Sequence, residues 1–139
     1  MAETPVATAI PDVDIEEDIH NRFKFYKPLF HDRHHFQISV SEGEAMVEGY
    51  VKGRITQRYL LDNLPLVEGV KSVNAKKFYN DETIRLATGA VVPVGIFVRV
   101  EYGLVVLSGR LPEGTDASKL VKQVGEIPGV YKVVTDFAD

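Results

Sequence analysis

Between Phe36 and Val73 the apolar and polar positions fall into a pattern that returns, sixty residues later and without a gap, between Ile96 and Val133. Phe36, Ile38 and Val40 alternate with Gln37, Ser39 and Ser41, which is the period of a half-buried strand. Gly43 predicts the tip of a short hairpin, and a second strand follows over roughly 44–51 with Gly49 inside it. A glycine within a strand marks a bulge or the close approach of another backbone. From about Thr56, the expected N-cap, Leu60, Leu61, Leu64 and Val67 form one helical stripe. Gly69 closes that helix, and Val70 to about Lys76 reads as a third strand.

The second copy predicts strands near 95–101 and 104–111, a helix near 116–126 capped by Asp116, and a strand near 130–135. Tyr102-Gly103 is its hairpin tip and Pro128-Gly129 its helix-to-strand turn. Self-similarity at a fixed offset means one supersecondary unit used twice. One conflict stands in both copies. Val70 and Val73, like Val130 and Val133, are an odd number apart and cannot share a face of one regular strand.

Ahead of the first copy, Asp12 or Asp14 starts a helix whose stripe is Ile15, Ile19, Phe23 and Tyr26, and Pro28 is expected to end it. Residues 29–34 then serve as linker. Asn80 or Asp81 caps a shorter helix through Ile84 and Leu86, ended by Gly89. Residues 1–11 read either as a mobile tail or as an extended arm that adds to a sheet edge. The fold class is therefore α+β: two tandem α-β-β-α-β repeats over 12–79 and 80–139, each a small three-stranded mixed sheet with helices on one face.

The residues themselves resemble a known family, the BON domain. Its pattern is a β-hairpin of the type V-x-V-x-x-G-x-V-x-L-x-G-x-L, an amphipathic helix, and then P-G-V-x-x-V. The second copy carries Val98, Val100, Gly103, Val105, Leu107, Gly109 and Leu111, then Pro128-Gly129-Val130 and Val133. The first copy keeps Gly43, Gly49, Gly69-Val70 and Val73, with Glu48 and Glu68 as departures. The resemblance implies a non-catalytic module of bacterial envelope or stress-related proteins, with phospholipid or membrane-periphery binding. Some relatives bind a small cation, and related folds serve in ring-forming assemblies. The motif residues shape the fold, so no catalytic group is implied.

Composition narrows the field further. In 139 residues there is no cysteine, so disulfides, thiol catalysis and thiolate metal sites are excluded. A net charge of −4 with no compensating basic cluster argues against nucleic acid. No apolar run is long enough to cross a bilayer, and the first ten residues lack the basic and apolar regions of a leader. The expected compartment is cytoplasmic, or the envelope if a leader has been removed.

Candidate chemistry is sparse. His31, His34 and His35 are the only cluster of metal-ligating type, and a solvated linker is the preferred reading because no distant ligand set accompanies them. No cofactor is expected. Lys52, Arg54, Arg58 and Tyr59 are the candidates for contact with a lipid or partner. Phe97, Leu104 and Val106 make the outward parity of the second hairpin unusually apolar, which points to self-association and a homo-oligomer. The six glycines Gly43, Gly49, Gly69, Gly103, Gly109 and Gly129 are assigned to turns and backbone shape. The function expected is a non-catalytic interaction module for phospholipid or an envelope partner. The alternative is a structural subunit of a ring, tube or filament, joined by edge strands, the apolar second-copy face and the arm.

Overall fold

The computed structural model describes residues 10–139. Two three-stranded sheets follow one another along the chain. The first contains β1 (Phe36–Ser41), β2 (Glu44–Val51) and β3 (Ser72–Asn80), and the second β4 (Ile96–Glu101), β5 (Leu104–Gly109) and β6 (Lys132–Phe137). In each, the hairpin pairs antiparallel and the third strand adds parallel to the hairpin's second strand. Both sheets are therefore mixed, with order β1-β2-β3 and β4-β5-β6. The helices are α1 (Asp12–Phe23), α2 (Lys27–His31), α3 (Arg54–Asn63), α4 (Asp81–Val91) and α5 (Ala117–Gly125).

Each sheet buries one face against helices and has its own core. Ile15, Ile19 and Phe23 of α1 meet Leu60 of α3 over Ala45, Val47 and Val51. In the second unit Ile84, Leu120 and Val124 close over Val105 and Leu107. Leu60 and Leu64 are fully enclosed, and removing a leucine side chain from water contributes about 1.5–3 kcal/mol.

Several local expectations are corrected. Pro28 does not end α1, which stops at Phe23. It sits instead in the first turn of α2, where its missing N–H is not needed by the helix. Gly53, not Thr56, precedes α3. Thr56 lies inside the helix and is buried, while Glu82 accepts the Arg54 N–H at 3.2 Å. Asp116 does cap α5, accepting from the Ser118 and Lys119 N–H groups. Gly89 does not end α4, which runs on to Val91.

The third strands begin and end later than expected. Val70 and Val130 lie in the preceding turns, and only Val73 and Val133 belong to strands, so the parity conflict disappears. Between the Met46–Asn74 and Glu48–Lys77 pairs β3 carries one residue more than β2, a bulge that re-aims its second half.

The strand glycines are close approaches of backbone. Gly49 has φ +115° and Gly109 φ +98°. A Cβ on Gly49 would run into the His35 carbonyl oxygen, and one on Gly109 into that of Gly95. The same two carbonyls accept the N–H groups of Tyr50 at 2.8 Å and Arg110 at 3.3 Å. Left-handed strain and collision add, so Gly49→Ala and Gly109→Ala should each lower unfolding stability by about 2 kcal/mol or more in urea titration. Gly89→Ala, in a helix with open space around it, should raise it by about 0.5–1 kcal/mol.

Candidate functional site

The two units meet with no linker, because β3 ends where α4 begins. Asn80 closes the strand and caps the helix, its side chain accepting the Thr83 N–H at 2.8 Å. The next residue reaches across to the second hairpin. The Asp81 carboxylate accepts the N–H groups of Tyr102 at 2.7 Å and Gly103 at 3.1 Å. Both hairpin residues have positive φ, 48° and 83°, and this turn leaves two amide N–H groups for one acid to satisfy. The first unit does the same. Asp12 accepts from Glu42 at 2.9 Å and Gly43 at 3.1 Å, across a turn of matching geometry.

Around Asp81 the joint is extended by aromatic and polar contacts. The Tyr102 hydroxyl donates to Asp32 at 2.8 Å, and the other oxygen of Asp32 accepts the Lys52 N–H at 3.0 Å. Asp32 is almost wholly buried. The His35 ring lies flat on Tyr102 with centroids 3.4 Å apart. The Tyr50 hydroxyl donates to the Gly129 carbonyl at 2.6 Å, and its ring fills the space above Gly103.

Burial pushes the Asp81 carboxyl above its ordinary value, against the pull of its two amide donors and Lys52. The Tyr102 hydroxyl is raised first by burial and then by its bond to Asp32. The Tyr50 hydroxyl is raised by burial and by the neighbouring Tyr79 and Asp81. These acids hold main chain and a phenol in place, and the oxygens of both Asp32 and Asp81 are already engaged.

The expected site residues separate into different surroundings. His31, His34 and His35 are exposed, with His35 engaged on Tyr102, and no three metal-ligating side chains gather among the described residues. Lys52, Arg54 and Arg58 are exposed on and just before α3. Tyr59 is not part of that open surface. It stacks on Tyr26 at 3.8 Å and meets the edge of Phe23 at 5.9 Å. The apolar neighbour of the cations is Ile55, 78% exposed. Its signal in the sequence is that it falls off the Leu60–Leu64 stripe.

Phe97 is 70% exposed, while Leu104 and Val106 are half-buried on the sheet face away from the helices. Val106 pairs with Arg99 on one side and with Val134 on the other, so Val134 joins this face. The six glycines stand at the two hairpin tips, the two strand approaches and the two helix-to-strand turns, all with positive φ. The expected N-terminal arm lies, except for Ile10 and Pro11, outside the described residues. No described helix is long and apolar enough to cross a membrane.

A β-hairpin with a parallel third strand, used twice and joined head to tail, defines a class of small α+β modules. Residues 80–138, the second unit, match the family model of the BON domain. As a whole the chain is similar in fold to the C-terminal domain of CdsD, described as the structural protein of the type III secretion system of Chlamydia trachomatis. The TM-score is 0.72 at 20% identity, covering 92% of this chain and 66% of that one. A further CdsD structure from the same organism gives 0.69 at 20% identity, covering 92% and 63%. The chain thus spans just under two thirds of the length of these relatives. No curated protein is similar to the chain in sequence.

Replacing Asp81 by Ala leaves two amide donors at the joint unsatisfied and should cost about 1–3 kcal/mol at neutral pH, against less for Asp12→Ala at its more open site. The raised Asp81 carboxyl contributes in full below its unfolded value, and that contribution falls as pH climbs through the folded value. Urea titrations should therefore show the gap between the wild type and Asp81→Ala widening on acidification.

Proposed function

We propose that this chain is a non-catalytic interaction module that docks on phospholipid, or on an envelope-associated partner presenting the same anionic chemistry, through the outer side of α3. The observation that carries the reading is Arg54, Ile55 and Arg58 exposed together, with Lys52 just ahead of them. Cations beside an apolar side chain are what an anionic lipid surface requires. Each basic residue near such a surface contributes about 1 kcal/mol, so the attachment is weak, salt-sensitive and dependent on acidic lipid. In flotation assays the protein should rise with vesicles rich in phosphatidylserine, stay behind with neutral ones, and lose binding in an Arg54→Glu/Arg58→Glu variant. Absence of binding to either kind of vesicle removes the lipid reading.

A second reading has its own observation. The outer face of the second sheet presents Phe97 and Val134 to solvent with the half-buried Leu104 and Val106 beside them, an apolar face of the kind that marks an interaction surface. CdsD is described as a structural protein, and the same role here would join copies through this face and the free strand edges. Sedimentation should then show assemblies that Phe97→Asp shifts to monomer. A protein that is monomeric with or without the substitution ends this reading.

A further inference from the structure

The two units differ in front of their hairpins, and the first has a groove there. Asp12 stands 31 residues before Gly43, whereas Asp81 stands 22 before Gly103. The first unit therefore carries nine extra residues between its capping acid and its hairpin, and they include α2, which has no counterpart in the second unit. Beside it lies a cavity of about 490 Å³, lined by the apolar Ile19, Phe23, Leu29, Phe36 and Ile38. Across the opening stand Phe25, 84% exposed, and Phe30, 53% exposed.

One wall of the groove is a strand edge. β1 is the outer strand of its sheet. In a two-residue hairpin closed by Ser41 and Glu44, the N–H and C=O groups of Phe36, Ile38 and Val40 point away from β2. Glu16 of α1 meets the Val40 N–H at 3.1 Å. Two residues back, the Ile38 N–H has no partner among the described residues. An unpaired edge beside apolar pockets is the arrangement that takes up an added strand, with main-chain bonds supplying affinity and alternate side chains supplying choice.

The rim selects the sign of the guest. Lys24, Arg33 and His20 line the opening, and the one acid there, Glu16, is already engaged with β1. Arg33 is held over the Phe30 ring at 3.9 Å, with its guanidinium donating to the Phe30 carbonyl at 2.8 Å, so cation and aromatic are presented as one fixed element. Lys24 lies over Phe25 in the same manner at 5.2 Å. Aromatic and arginine anchors at the lip of a desolvated pocket are the residues that dominate binding.

We propose that this groove captures an extended peptide segment with alternate apolar side chains and an acidic flank, which joins the first sheet beside β1. The site is separate from the α3 surface, so vesicle flotation and peptide capture fail independently.

The test uses the full chain and a short fluorescein-labelled peptide in which leucine and threonine alternate between flanking glutamates, with its ends acetylated and amidated. Fluorescence anisotropy should show binding, and NMR should show slowed exchange at the Ile38 amide. Phe30→Ser and Arg33→Glu, both on the surface, should weaken binding about tenfold or more with an unchanged thermal melt. The same peptide N-methylated at alternate amides, which cannot pair as a strand, should not bind. Equal binding of the methylated peptide overturns the strand-addition claim. So does the absence of binding up to about 1 mM. Shifts of the β1 amides caused only by anionic vesicles, or only by raising the protein's own concentration, would assign the groove to lipid or to a second copy and overturn the proposal as well.

Discussion

The bond between the Asp81 carboxylate and the two amides of the second hairpin tip is the constraint on which the arrangement of the molecule rests. A turn with two consecutive left-handed residues leaves its N–H groups unsatisfied by the ladder. An acid placed at the start of a helix satisfies both. In the first unit Asp12 does this locally. In the second the acid directly follows the last strand of the first unit, so satisfying a turn also fixes one unit on the other. Asp32, His35 and Tyr50 add contacts to the same tip and turn. A charge this buried is disfavoured by desolvation, and it is tolerated because its acceptor sites are filled.

Much of this architecture could be read from residue order. A glycine inside a strand, as at 49 and 109, signals a bulge or a backbone approach, and the structure shows the approach, with the carbonyl that makes it. Asp116 announced a cap and is one. What could not be read depends on contacts distant in sequence. Thr56 looked like a cap because local chemistry allows it, but the start of α3 is served by Glu82 from the other unit. Tyr59 reads as a surface aromatic in the sequence, but Tyr26 and Phe23, more than thirty residues earlier, lie against it. Ile55 and Val134, which give the two open faces their apolar character, fall outside the core periodicity, and that alone does not say whether another element covers them.

The duplication is faithful where backbone geometry demands it and loose elsewhere. Hairpin, turn and the start of the third strand correspond, down to the Lys71 and Tyr131 amides that bond the carbonyls of the hairpin-tip glycines at 2.8 Å, while the bulge of β3 has no counterpart in β6. The lead-in helices and the outward faces have diverged. Conserving the scaffold while varying its surfaces is how one fold comes to present different partners with different chemistry. Here the first unit offers cations and a groove, and the second an apolar sheet face.

The joint is also unsymmetrical. The strand-end side of the first unit meets the hairpin-tip side of the second, so different surfaces of the two units face each other, head to tail. A dimer built on a two-fold axis has no front or back, whereas this molecule has both. The order of the two units therefore carries an arrow, and anything that touches both of them meets them in one of two distinguishable orientations.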